Sequence, residues 1–75
     1  MAAAAGLRDD FTAKDLGRLA QSRRDAGQVR RLLALAVIYD GGGRSEAARI
    51  GGVGLQTVRD WVLRFNRHGP DGLMA

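Results

Sequence analysis

Apolar residues recur along the chain at the intervals of helix faces, and this pattern predicts four helices and no strands. The longest run lies near the middle, where residues three and four positions apart form one face: Val29, Leu32, Leu33, Ala36 and Tyr39. Leu and Ala outnumber β-branched residues in this run, which favours a helix over a buried strand. We predict that it is the central, most buried helix. It is expected to end at Asp40, because three glycines follow and glycine readily leaves helical geometry.

The first helix is predicted to begin near Thr12. Thr12 and Asp15 have the spacing of a capping box, in which each side chain accepts a hydrogen bond from the other residue's backbone. Phe11 and Leu16 occupy the two positions of a hydrophobic staple. Together these residues indicate where the chain enters the helix.

Two further helices are predicted, from about Arg44 to Ile50 and from about Leu55 to Arg67. The expected contact residues of the shorter helix are Ala47, Ala48 and Ile50. At about 100° per residue, the longer helix has an apolar stripe that we assign to the core. This stripe contains Leu55, Val58, Trp61, Val62 and Phe65.

Both ends of the chain are expected to lie outside the folded part. Residues 1–10 have no periodic apolar pattern and are expected to form a loose N-terminal arm. Residues 69–75 are expected to form a turn, with Pro70 at its second position, and a short tail that covers an edge of the core or frays. Residues 11–68 are then the folded domain.

Residues 44–67 have the layout of a helix-turn-helix: a short Ala-rich helix, a glycine turn and a longer amphipathic helix. Ala48 permits a close helix crossing, Gly52 gives the turn an unhindered backbone, and Val58 fixes the second helix on the first. The sequence therefore predicts an all-α bundle of about four helices that contains this motif.

The second helix of the motif exposes side chains suited to DNA. Its exposed face is predicted to contain Gln56, Arg59, Asp60, Leu63, Arg64 and Arg67. Gln pairs with adenine and Arg with guanine, so Gln56 and Arg59 are the best candidates for base recognition, while Leu63 is suited to a thymine methyl group. Asp60 is expected to orient Arg59 or Arg64 across a helical turn, and acceptance of a hydrogen bond from a cytosine amine is the alternative.

Phosphate contacts are expected at the rim of the groove, from Arg44, Ser45 and Thr57. A second basic cluster contains Arg23, Arg24, Arg30 and Arg31. Its side chains are expected either to contact a neighbouring phosphate strand or to interact only with solvent at the junction of the first two helices. An amphipathic helix with alternating charge often binds nothing, and its charged side chains then only contact solvent. The net charge of +4, with Arg supplying eleven of the twelve positive charges, favours double-stranded DNA as the partner.

Composition argues against several other classes of function. The chain has 75 residues and no Cys, and its single histidine, His68, has no second ligand for a metal. Its carboxylates lie on separate elements without a nucleophile, so we expect no enzyme activity, no cofactor and no small-molecule ligand. The longest apolar run, Leu32 to Tyr39, is far shorter than the roughly 20 residues of a membrane span. No signal peptide is evident at the N-terminus, so we expect a cytoplasmic protein.

Several runs of residues are similar to a known family. They are Arg31–Ala36, Arg44–Val53, Gln56–Val62, Phe65–Asn66 and Gly69–Leu73. With these runs the chain resembles the N-terminal region of bacterial mariner-related insertion-sequence transposases. The resemblance implies a homeodomain-like helix-turn-helix that binds the terminal inverted repeats of a mobile element, with Leu55–Asn66 as the recognition helix.

The resemblance also implies limits. In that family a ribonuclease-H-like catalytic domain follows the DNA-binding part, and we expect this chain to be a truncated transposase-like protein or an excised domain without it. Gly43 and Gly54 stand where the family often has a Ser, Thr or Asp cap. A stand-alone transcriptional regulator is the alternative, and a protein-interaction module is a third possibility. The sequence leaves the oligomeric state open.

Overall fold

A computed structural model describes residues 6–73, and no strand occurs within them. The helices are α1 (Ala13–Gln21), α2 (Ala26–Tyr39), α3 (Arg44–Gly51) and α4 (Leu55–His68), followed by a 3₁₀ helix, Gly69–Leu73. α2 packs against both α1 and α3, while α4 contacts α3, α2 and the 3₁₀ helix. The predicted all-α architecture of about four helices is confirmed.

Side chains cap the first two helices. The Oγ1 atom of Thr12 accepts a hydrogen bond from the backbone N–H of Asp15 at 3.1 Å, and the Asp15 carboxylate accepts one from the Thr12 N–H at 2.9 Å. This confirms the predicted capping box. α2 begins at Ala26, earlier than its apolar pattern suggests, because Asp25 accepts a hydrogen bond from the Gln28 N–H at 3.0 Å.

Glycines end α2 and α3 in the same way. Gly41 has φ +94° and Gly52 has φ +69°, both in the left-handed region that residues with a side chain rarely adopt. The next residue in each case donates a hydrogen bond back into the helix, from Gly42 to the Val37 carbonyl at 2.8 Å and from Val53 to the Ala48 carbonyl at 3.0 Å. These are Schellman motifs, which satisfy carbonyls at the helix end and reverse the chain abruptly.

The core is built around α2 and Phe65. Its largest fully buried side chains are Phe65, Leu16, Leu32, Leu35, Ile38, Leu73 and Val58. The Phe65 ring lies 5.4 Å from the Phe11 ring and 6.1 Å from the Tyr39 ring, centroid to centroid. The prediction that Leu33 belongs to the core face is wrong, since it is 40% exposed. α2 lies between α1 and α3, so its buried surface extends to Ala34 and Leu35 rather than to Leu33.

The N-terminal end is not a loose arm where the structure describes it. Residues 6–10, the N-terminal strap, lie against the ends of α2 and α4. Leu7 is only 4% exposed. The backbone N–H of Arg8 donates to the Asn66 side-chain oxygen at 2.8 Å, the Asn66 amide donates to the Gly6 carbonyl, and the Tyr39 hydroxyl donates to the Arg8 carbonyl. The expectation of a loose arm is therefore wrong for Leu7 and Arg8, and residues 1–5 lie outside the described part.

The C-terminal turn also belongs to the core. Leu73 is 1% exposed, and its carbonyl accepts a hydrogen bond from the Arg31 guanidinium at 2.8 Å. A Cβ atom at Gly72 would lie 2.5 Å from the Arg64 carbonyl oxygen, which shows how closely this segment folds back on α4. Leu73 thus covers an edge of the core, which is one of the two alternatives predicted for the C-terminal tail, the other being a frayed end. Residues 74 and 75 lie outside the described part.

Candidate nucleic-acid interface

The turn between α3 and α4 fixes the two helices closely together. Gly51 is buried, and a Cβ atom there would lie 2.7 Å from the ring of Trp61 on α4. Gly52 has open space around it, so its requirement for glycine comes from its φ of +69° alone. Gly51 therefore gives the close approach between the helices, and Gly52 gives the sharp turn.

α4 buries one face in the core. Val58, Trp61, Val62 and Phe65 are all buried, as the apolar stripe predicts. Leu55 is not, because it is 54% exposed. It is the first residue of α4 and lies one turn before the first core contact, at Val58, so the assignment of Leu55 to the core is corrected.

α3 differs from prediction at one contact residue. Ala47 and Ala48 are buried, whereas Ile50 is 43% exposed. Gly51 completes the buried face instead. At about 100° per residue, Ile50 lies about 160° around the helix from Ala48 and about 60° from Ala47, so it falls beside the buried face rather than on it.

The exposed face of α4 contains all six side chains predicted for it. They are Gln56, Arg59, Asp60, Leu63, Arg64 and Arg67. Leu63 is 61% exposed, the highest fraction among the large apolar side chains of the described residues. On the helix, Gln56, Asp60, Leu63 and Arg67 fall within an arc of about 60°, and Arg59 and Arg64 lie about 40° beyond its two edges.

The predicted pairing of Asp60 with a neighbouring arginine is not observed. Within residues 6–73 the Asp60 carboxylate forms no ion pair and no hydrogen bond. An exposed pair of this kind gains little, because holding two mobile side chains together costs about as much entropy as the attraction returns. Arg59 and Arg64 therefore extend into solvent, and Asp60 does not fix their orientation.

The predicted phosphate-contacting residues lie at the starts of the two helices. Arg44 and Ser45 are the first two residues of α3, and Thr57 is the third residue of α4. Ser45 is exposed, whereas Arg44 and Thr57 are half-buried. The N-caps of both helices are glycines, which provide no side-chain acceptor for the first backbone N–H groups of α3 and α4. Such groups favour an anion such as a DNA phosphate.

The second basic cluster separates into two kinds of residue. Arg31 is structural, since its guanidinium lies 6.0 Å from the Trp61 ring centroid and donates to the Leu73 carbonyl. Arg24 and Arg30 are exposed, and Arg23 is half-buried with a buried Nε atom that has no hydrogen-bond partner.

Two residues near the site were not predicted to belong to it. His68 lines a shallow groove on α4 together with Asp60, Leu63, Arg64 and Arg67. Its position four residues after Arg64 places it on the same side of the helix, and this spacing is visible in the sequence. Asn66 anchors the N-terminal strap to α4 through hydrogen bonds to residues about sixty positions away, and no local pattern signals such contacts.

No helix in the described range is long and apolar enough to cross a membrane. The architecture also lacks the β-strands of a wing between residues 6 and 73. The site therefore consists of α3, the glycine turn and α4, with the start of each helix at its rim.

Comparison with known proteins agrees with this layout. A relative is an uncharacterized protein, y4pG/y4sC, of Sinorhizobium fredii (strain NBRC 101917 / NGR234), which is 66% identical over 74 residues. The match covers 99% of this chain and 38% of the relative, so the chain spans well under half of that protein's length. No solved structure matches the chain. Residues 31–75, more than half of the chain and including all of α3 and α4, match the model of the winged helix-turn helix family, and the chain belongs to this family of DNA-binding domains.

Proposed function

We propose that this chain binds double-stranded DNA in a sequence-specific manner by placing α4 in the major groove. The observation that carries the proposal is the division of α4 into two faces. Four buried side chains hold the helix on the domain, and a face of three arginines, a glutamine, an aspartate and a leucine is left exposed. This composition matches the hydrogen-bond donors, acceptors and methyl groups on base edges.

The proposed roles of the side chains follow from their positions on α4. Gln56 and Arg59 lie in its first two turns, where recognition helices contact bases. Arg44, Ser45 and Thr57, with the uncapped N–H groups beside them, contact phosphates on either side of the groove. Phosphate contacts position the domain, and base contacts select the sequence.

The proposed target is the terminal inverted repeat of a mobile element. This rests on the resemblance of five runs of residues to the N-terminal region of mariner-related transposases. In this proposal residues 6–73 supply binding alone, and strand cleavage belongs to a separate catalytic domain of the transposase. A stand-alone regulator of transcription is the competing function, and it requires two copies on a twofold-symmetric operator.

Site selection from a pool of random duplexes tests the proposal. An asymmetric selected site bound by one copy of the chain supports inverted-repeat recognition, because a terminal repeat presents its sequence once at each end. A palindromic site bound by two copies supports the regulator instead. The number of copies is measured by analytical ultracentrifugation of the complex.

A salt titration tests whether the interface contacts phosphates. With about four to six phosphate contacts, the logarithm of the association constant should fall linearly with the logarithm of salt concentration, with a slope of about −4 to −5. Random duplex should bind with a dissociation constant of about 10⁻⁴ to 10⁻⁶ M at physiological salt. Absence of binding to any duplex at low salt contradicts the proposal and favours a protein partner.

A further inference from the structure

The carboxylate of Asp60 lies in the middle of an otherwise basic face and has no partner. Asp60 is exposed, and within the described residues it forms neither an ion pair nor a hydrogen bond. It therefore has no structural task in the free domain. A negative charge placed on a surface that faces a polyanion weakens binding to every sequence unless it meets a hydrogen-bond donor on the DNA.

The position of Asp60 on α4 places it over bases rather than over phosphates. It lies inside the central arc of the exposed face, between Gln56 one turn before and Leu63 one turn after. Arg59 and Arg64 lie beyond the two edges of this arc. When α4 lies in the major groove, Asp60 is close to the groove floor, with the two arginines on either side of it.

The chemistry of the groove floor leaves one base that suits an isolated carboxylate. Guanine presents only acceptors, N7 and O6, and thymine presents the acceptor O4 and a methyl group. Adenine presents its N6 amine beside the acceptor N7, which repels a second carboxylate oxygen. Cytosine presents its N4 amine, a donor that a carboxylate accepts from.

We infer that Asp60 is a specificity-determining residue that selects cytosine at one position of the DNA site. The inference rests on the proposed function and deepens it. Asp60 accepts a hydrogen bond from the cytosine N4 amine in the cognate site, and it repels the acceptor atoms of guanine and thymine at that position. The same charge lowers affinity for random DNA, so it increases the ratio of specific to non-specific binding.

The test compares the selected sites of the wild-type chain and the Asp60→Asn variant. Asn has the shape of Asp without its charge, and it pairs with adenine through N6 and N7. We expect one cytosine position of the wild-type site to change to adenine or to lose its preference, with a loss of about 5- to 10-fold in discrimination at that position. Binding to random duplex should become tighter.

Asp40→Asn is the matched control. Asp40 is an exposed carboxylate at the C-cap of α2 and is not part of α4, and the variant makes the same change in net charge. It should leave the selected site unchanged. Thermal unfolding of both variants verifies that the fold is intact.

The outcomes separate the inference from the proposed function. If the wild-type chain binds no DNA, the proposed function fails and the inference fails with it. If Asp60→Asn binds with an unchanged site, only the inference is overturned. If Asp60→Asn has no effect on the selected site in the background of Arg59→Ala or of Arg64→Ala, the inference is also overturned, because that result shows that Asp60 acts by orienting an arginine.

Discussion

Replacement of Gly52 by Ala should destabilise the domain through backbone strain alone. Gly52 has φ +69°, and nothing lies within 4 Å of the position that a Cβ atom would occupy. Steric clash with neighbouring groups is therefore absent, and the cost comes from holding an L-residue in the left-handed region. That cost is about 1–2 kcal/mol per residue.

The magnitude is large enough to measure in a domain of this size. For a domain of 60–100 residues, each kcal/mol lowers the melting temperature by about 4–8 °C. Thermal unfolding followed by circular dichroism should therefore place Gly52→Ala at least about 4 °C below the wild type. Gly52→Asn should fall between the two, because Asn tolerates the left-handed conformation better than Ala does.

Gly54→Ala is the matched control. Gly54 also has open space around its Cβ position, but its φ of −83° is accessible to any residue. The melting temperature of Gly54→Ala should stay close to that of the wild type, because two effects oppose each other. Ala stabilises the domain by lowering the entropy of the unfolded chain, and it destabilises the domain because it is a poorer N-cap than Gly. Equal melting temperatures for Gly52→Ala and Gly54→Ala would refute the explanation by backbone strain.

Three further predictions concern the interface, the core edge and the single tyrosine. Arg59→Ala should relax sequence preference by about 1–3 kcal/mol at one position, whereas Arg44→Ala should weaken binding to all duplexes alike. Anisotropy titrations with selected and random DNA measure this difference. Equal effects of the two variants on both kinds of DNA would show that these roles are wrong. Leu7→Ala should cost about 2–3 kcal/mol of unfolding free energy in urea, because a 4% exposed leucine leaves a cavity, and a loss below about 0.5 kcal/mol would mean that the strap is not packed in solution. Burial, reinforced by the charge of Asp10, raises the pKa of Tyr39 to about 12, against about 10 in an unfolded chain. The stabilisation from Tyr39 is thus complete below about pH 10 and is lost as the pH rises toward 12; titration of tyrosinate absorbance checks this, and ionisation at an unperturbed pKa would contradict it.

Local signals in the sequence were sufficient to predict the four helices. The capping box at Thr12 and the glycines after α2 and α3 act on the nearest backbone groups, so they can be identified without knowing the fold. The buried face of α4 follows from periodicity for the same reason. Asp25 also has the local signature of a cap, with Gln28 three residues later, and this signature marks the start of α2.

Burial depends on which elements cover a residue, and periodicity alone does not reveal this. Leu33, Ile50 and Leu55 are apolar and fit helical spacing, yet each lies where no neighbouring helix covers it. Leu7 shows the opposite error. It has no periodic partner in sequence, but the fold brings it into the core against the ends of α2 and α4.

The exposed face of α4 was predictable because the helix has a strong division between apolar and polar sides. The pairing state of its side chains was not, since the distance between two exposed side chains depends on rotamers that the sequence does not specify. Arg31 illustrates the same limit. Its spacing suggested membership of a basic cluster, whereas its contacts with Trp61 and Leu73 come from residues 30 and 42 positions later in the chain.

The N-terminal strap connects the beginning of the described residues to the end of α4, and this contact affects the lifetime of the folded state. The hydrogen bond between Gly6 and Asn66 joins residues 60 positions apart. Closing so long a loop costs entropy before any contact compensates it, so we expect the strap to attach after the helices have assembled. Interactions that form after the transition state slow unfolding without accelerating folding. We therefore expect the strap, which holds the C-terminal end of α4, to lengthen the lifetime of folded α4 without changing how quickly this helix forms.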